Sequence, residues 1–395
     1  MISDVYFPRV NGVSTSIQTF RRELATLGHE THLIAPAYPA EYPREPGITR
    51  IRSRAVPRDP EDRIMSSKDI RALYASLAAQ RYDLVHVQTP FVAHYAGVAL
   101  AARLGVPCVE SYHTFFEEYL FHYVPFLPKP WMQAAARRFS RAQGNSVAAL
   151  VVPSLAMRDA LAAYGVTSRM HVIPTGIRLA DFAGGHGRRF RVRFGIAAEQ
   201  PVMLFVGRVA HEKNIDFLLR AAQRAIAEVP ELLLVIAGEG PAEAHLKRLA
   251  HKLGIEKSVR FVGYMDRAVE LLDCYRAADV LVFASRTETQ GLVLLEAMAL
   301  GLPVISTAVM GTREIVGARR GALVPEDNEE DFAAAMVRLV RDSALRARLA
   351  EDARVYAREW HADAMAVKMA SFYVGVISAN ETRRPVRTEP QNATG

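Results

Sequence analysis

The chain has 395 residues, half of them hydrophobic, with 49 Lys and Arg against 42 Asp and Glu and a net charge of +7. This is more than one ordinary core holds and implies two domains. No apolar run reaches the roughly 18 residues of a membrane span, and the opening "MISDVYFPRVNG" lacks the basic-then-apolar pattern of a signal peptide, so a cytoplasmic protein is expected.

Residues 1–180 carry 20 basic and 14 acidic side chains, so the positive excess lies in the first half, where it suits an anionic surface. Nucleic acid has only this charge behind it and no binding motif, so none is expected as a partner. Cys108 and Cys274 lie in apolar segments and read as buried free thiols. No zinc-type Cys/His spacing and no D-x-D pair for a metal-bound diphosphate occurs, so no metal is expected.

In chain order, "MISD" opens almost inside a first strand, which is either short or preceded by chain upstream. "YFPRVNGVSTSIQTF" follows, with Pro8, Asn11 and Gly12 turning into a helix near 14–27, a backbone cradle for a ligand. Strands are expected at "HLIAP", "LVHVQ", "PCVES" and "ALVVPS", with helices near 67–80, 93–104, 130–142 and 155–164. His113 follows "PCVES", at the strand end where a ligand can touch it; a structural histidine is the plainer alternative. Residues 115–144 are dense in aromatics from Phe115 to Trp131 and then in arginines at 137, 138 and 141. Such a segment can lie on an anionic membrane, or its aromatics can pack inside the first domain.

The polar, glycine-rich "DFAGGHGRRFRVRFG", 181–195, breaks the periodicity and marks the domain boundary. Beyond it, strands at "VMLFVGR", "LLLVIAG", "VRFVGY", "VLVFAS", "PVIST" and "GALVP" alternate with helices near 214–228, 241–253, 266–278, 291–300 and 329–341. Continuous apolar strands alternating with helices imply two parallel sheets covered on both faces. Two more helices fill 343–378, and the polar tail 380–395 is expected to be disordered.

Two patterns in the second half carry chemistry. "FVGRVAHEKNIDFLL" places Arg208 and Lys213 just past a strand end, where two cations can neutralise a leaving diphosphate. "RTETQG" places Glu288 in a strand-end loop and Gly291 at a helix start, with Glu296 inside that helix. Free N–H groups at the helix start suit a phosphate, and carboxylates on either side suit hydroxyls that flank it. A nucleotide-sugar has that layout of sugar hydroxyls, diphosphate and ribose hydroxyls. By themselves the two glutamates also fit a solvated helix, and the two cations a solvated loop.

Together "NGVSTSI", "YHTFF", "IPTGI", "GRVAHEKNIDFLL", "VGYM" and the E-x7-E block running into "EAMALGLPVIS" resemble the retaining glycosyltransferases of family four (glycosyl transferases group 1), over nearly the whole chain. The resemblance implies the GT-B fold: an acceptor domain over 1–180, a donor domain over 181–360, and a helix over 361–379 crossing back to the first. It implies a hexosyltransferase in which Arg208 and Lys213 bind the diphosphate. Glu288 and the amides of Gly291 and Leu292 then hold the sugar, Glu296 the ribose, and Gly263 packs the base. Gly12 and His113 reach across from the first domain. No cofactor beyond the nucleoside diphosphate sugar is implied, and no metal.

The family often has an aromatic and a glycine after the first Glu; Thr289 and Gln290 stand here instead. That variant resembles the subgroup that glycosylates diacylglycerol. The expectation is transfer of a hexose, UDP-glucose favoured, to a lipid such as diacylglycerol, with a peripheral seat on the inner face of the plasma membrane. A GDP-mannose-dependent transferase, a lipopolysaccharide, polyprenol-linked glycan or inositol phosphate acceptor, and a nucleotide-sugar 2-epimerase stay open.

Overall fold

The computed structural model describes residues 1–39, 45–56, 59–113, 129–267 and 269–383. The first half holds β1 (Leu33–Pro36), β2 (Ile48–Ile51), β3 (Ser53–Val56), β4 (Asp59–Met65), β5 (Val85–Val87), β6 (Cys108–Ser111), β7 (Ala149–Val152) and β8 (Arg169–Val172). β1 and β2 pair parallel, and β5 to β8 form a parallel set in chain order. Ile2 bridges Ile34 on one side and Val87 on the other, so the opening residues join the two sets into one sheet. The strand expected at "MISD" is this single-residue bridge. β5, β6 and β7 are buried along their whole lengths, as strands covered on both faces must be.

The second half holds β9 (Val202–Val206), β10 (Leu233–Ala237), β11 (Val259–Gly263), β12 (Val280–Phe283), β13 (Val304–Ser306) and β14 (Ala322–Leu323). They form one parallel sheet in the order β11-β10-β9-β12-β13-β14. The order reverses direction between β9 and β12, so the loops leaving their carboxyl ends part to either side and open a crevice. The helix Ile215–Glu228 behind β9 buries Ile215, Leu218, Leu219, Ala222 and Ala225, the stripe that a 3.6-residue period puts on one face. Phe205 and Phe283 stack at 5.9 Å in the core between the strands and these helices.

Several expectations change. The helix expected over 67–80 is two short helices, Ser67–Ala72 and Tyr74–Ala78. The antiparallel pair β3–β4 was not anticipated. Within the boundary stretch, Gly187–Arg193 is a helix on the second domain: Phe190 joins that core, and Arg189 and the His186 N–H both bond the Asp273 carboxylate. The last helix runs Ala362–Arg383, so residues 380–383 belong to it rather than to the tail; 384–395 lie outside the described residues. That helix is long and apolar enough in composition to cross a membrane, contrary to the reading of the sequence. Met365, Met369 and Phe372 instead bury themselves with Val109, Val151 and Phe20 of the first domain. Cys108 and Cys274 are buried free thiols, and burial pushes Cys108 up to about 12.

The chain passes between domains twice, at 173–178 and at 360–362, and the crossings touch. The Ile177 N–H donates to the Trp360 carbonyl at 2.8 Å, and the Ala362 N–H donates to the Ile177 carbonyl at 3.0 Å. Gly176 is required there, because a Cβ would come within 2.6 Å of the Ala362 Cα.

Candidate active site

A cleft of about 690 Å³ runs between the carboxyl ends of the two sheets. It is lined by Gly12 and His113 from the first domain and by Arg208, Lys213, Glu288, Gly291, Leu292 and Glu296 from the second. Gly263, the expected base contact, is not among the lining residues; its neighbours Tyr264 and Met265 are.

The loops after β9 and β12 are neighbours across the crevice, and this brings Lys213 to Glu288. Their ammonium and carboxylate form an ion pair, with side chains only 20% and 18% exposed. Lys213 is held there by the turn it sits in. Its N–H donates to the Ala210 carbonyl at 3.1 Å, and Asn214, in left-handed conformation with φ 56°, anchors to the Ala284 carbonyl at 3.1 Å. Glu296 sits in the buried side of the helix Leu292–Ala299. It pairs with Arg267 and accepts from the Tyr275 hydroxyl at 2.9 Å. The carboxylate beside it raises the Arg267 guanidinium, and burial drives the Tyr275 phenol well above its usual value.

Two carboxylates beside an anion site would ordinarily repel the anion. Here each carries its own cation, so the pairing removes the repulsion and leaves oxygens to accept from hydroxyls. Gly291 opens the helix with φ 91°, a conformation natural to glycine, and a Cβ there would lie 3.1 Å from Thr312 Cγ2. Gly12 faces open space, and Asn11 caps its helix by accepting from the Ser14 N–H at 2.8 Å. His113 Nε2 lies 3.2 Å from Gln88 Oε1, and burial lowers its pKa to about 4, so the ring is neutral near pH 7.

In the cleft, the sequence reading missed three things. Arg267 was not singled out, because no motif ties it to Glu296, 29 positions on. Glu239, in "GEGP" after β10, lines the cleft and accepts from the Tyr264 N–H at 3.2 Å; a carboxylate at a strand end was a signal that could have found it. Thr289 and Gln290, noted only as a departure, bond to the first domain. Away from the cleft lining, His211, Asp216 and His245 bring their ligand atoms within 4.8 Å of one another, through residues too far apart in sequence to show as a metal spacing.

Residues 188–356 match the family model described as Glycosyl transferases group 1, and residues 10–181 match Glycosyltransferase Family 4. The chain is 33% identical to an alpha-monoglucosyldiacylglycerol synthase of Streptococcus pneumoniae, over 78% of this chain and 70% of that one. It is 30% identical to a D-inositol 3-phosphate glycosyltransferase of Xylanimonas cellulosilytica, over 95% and 93%. Among solved structures it resembles sucrose-phosphate synthase from Thermosynechococcus elongatus, with a TM-score of 0.76, 22% identity and coverage of 96% and 99%. An Anabaena protein solved with UDP-glucose gives a TM-score of 0.73 at 16% identity, covering 95% and 99%. The chain belongs to the family-four glycosyltransferases, built on the GT-B fold.

Proposed function

We propose that this enzyme moves a hexose from a nucleoside diphosphate sugar, UDP-glucose first, to a lipid acceptor such as diacylglycerol, with retention at the anomeric carbon. The observation that carries the donor half is the Lys213–Glu288 pair at the crevice. A diphosphate entering beside Arg208 and Lys213 shares the Lys213 ammonium with Glu288, whose carboxylate stays on the sugar side. Charge builds on the departing diphosphate as the glycosidic bond breaks, and the two cations at the crevice stabilise it. Glu288 and Glu296 serve opposite ends of the donor rather than flanking one bond, so neither acts as the paired nucleophile of a retaining glycosidase. The acceptor hydroxyl then attacks from the face the diphosphate leaves. With two cations in that role the reaction is metal-independent, and EDTA is expected to leave the rate unchanged.

The acceptor half rests on relatives and on one surface. The pneumococcal relative is named for a glucosyldiacylglycerol product. On the helix Lys129–Gly144 of the first domain, Trp131 is 75% exposed, and Arg138 and Arg141 are exposed beside it at helical spacing. Phe91 and Tyr95, also on this domain, are more than half exposed. Arg137 instead covers the Tyr164 ring at 5.4 Å. Residues 114–128, the rest of the expected membrane segment, lie outside the described residues. The face with Trp131, Arg138 and Arg141 suits the inner leaflet of the plasma membrane, with the enzyme as a peripheral, cytoplasmic protein. Flotation with anionic liposomes should carry the protein up at low salt and release it at high salt; indifference to lipid charge would count against this face.

The deciding assay uses purified protein with UDP-glucose, UDP-galactose or GDP-mannose, with and without diacylglycerol liposomes, and scores nucleoside diphosphate release. Lipid-dependent release from UDP-glucose is expected. A phosphorylated polyol is the second reading, favoured by the 95% coverage of the inositol phosphate relative, and adding inositol 3-phosphate in place of lipid tests it.

A further inference from the structure

Thr289 and Gln290 stand between Glu288 and Gly291, yet neither turns into its own domain. The Thr175 N–H donates to Gln290 Oε1 at 2.8 Å, and Gln290 Nε2 donates to the Thr175 carbonyl at 2.7 Å. The amide side chain thus pairs with both backbone groups of one residue, as a neighbouring strand would. Thr175 belongs to the first crossing between domains, and its hydroxyl donates to Ser16 Oγ at 2.7 Å, on the helix that begins at Gly12. Gln290, Thr175 and Ser16 are all buried, so a partner lost here is not replaced by bulk water. One residue earlier, Thr289 Oγ1 donates to the carbonyl of His113 at 3.0 Å. From the other side, the Gly311 N–H of the second domain donates to the Glu288 carbonyl at 2.9 Å.

The loop that carries Glu288 and Gly291 is therefore shared. One end is pinned to the donor domain, and its next two residues are pinned to the acceptor domain. Moving the two domains apart would break these bonds of Thr289 and Gln290. An apolar side chain at position 290 would fill the same space without fixing the loop's register.

We propose that Gln290, supported by Thr289, is a positioning residue that makes alignment of Glu288 and the Gly291 amide depend on closure of the two domains. It ties the same closure to His113 and to the Gly12 helix. The inference rests on the donor roles assigned above to Glu288 and Gly291.

The test uses full-length Gln290→Leu, Gln290→Glu and Thr289→Val. Amide hydrogen exchange is followed at Thr175, free and with UDP. Steady-state transfer is followed with the donor and acceptor that the wild type uses. In the wild type the Thr175 amide should be protected. In Gln290→Leu it should exchange at least about tenfold faster, and kcat should fall on the order of 10- to 100-fold while donor KM moves less than about threefold.

Gln290→Glu gives a signature that packing alone would not. Protonated, its carboxyl can still donate to the Thr175 carbonyl; ionised, it repels that oxygen. Its activity relative to wild type should fall as pH rises through the carboxyl's pKa. Wild-type kcat in Gln290→Leu, or a Thr175 amide unprotected in the wild type with and without UDP, overturns the proposal. Silence with every nucleotide-sugar would sink the donor reading instead, and the exchange data would still decide whether the link forms. Should Gln290→Leu fail to fold, Thr289→Val is expected to show the same kcat loss at smaller size, and an unchanged kcat there overturns the proposal.

Discussion

Glu296 shows how one side chain can line the cleft and be part of the packing together. Its carboxylate is 5% exposed, between Arg267 and the Tyr275 hydroxyl. Removing the guanidinium leaves a buried charge with one hydrogen bond. Arg267→Met should therefore cost roughly 1–3 kcal/mol, less than a fully buried pair because Arg267 keeps some contact with water. Urea denaturation checks the stability and donor KM the binding, which should weaken as the carboxylate loses its anchor. At Lys213 the proposed role predicts a different split: Lys213→Ala should lower kcat far more than it raises donor KM, since that role has the cation act as the diphosphate leaves. His113, with its pKa near 4, should show no ring titration between pH 6 and 8 by NMR and should contribute no acid limb to kcat/KM in that window. The residue types of the site were legible because they follow strand ends. Their partners were not: Lys213 and Glu288 lie 75 positions apart and meet through strand order, which no local pattern records.

At the scale of elements, β9, β10 and β12 of the second domain were readable as strands because burial on both faces leaves no polar positions in them. β4, "DPEDRIM", reads as loop for the opposite reason, since its side chains are mostly charged. Loop geometry also carries expectations. Gly291→Ala puts a Cβ at positive φ against Thr312 and should cost about 1–3 kcal/mol, with donor affinity falling alongside; calorimetry and donor titration check both.

The opening segment holds a second element-scale test. Asp4 accepts from Thr89 Oγ1 at 2.8 Å and from the Ala93 N–H at 3.1 Å, at the start of the helix Val92–Leu104; burial still raises its pKa to about 6. The unfolded chain ionises this group near pH 4, so between about pH 4 and 6 the unfolded state holds fewer protons than the native one, and the group's contribution to stability falls as pH rises. Asp4→Asn should therefore gain on the wild type by about 3 kcal/mol across that window, read from denaturation curves at each pH.

For the molecule as a whole, two domains were legible from length and alternation, but the cleft between them was not, because it exists only where two sheets face each other. The site is completed from both sides, with His113 and Gly12 on one and the charged pairs on the other. The two crossings of the chain set what that arrangement can do. A body tethered at one flexible point is free to swing and twist in any direction. Here Ile177 and His361 bridge in parallel register, and Gly176 lies against Ala362 with no room for a side chain between them. Two bonded tethers side by side behave like the adjacent leaves of a door hinge. They permit rotation about the line through them and resist torsion across it. An opening of the cleft about that line would close again along the same arc and bring its two walls together in one orientation rather than by search.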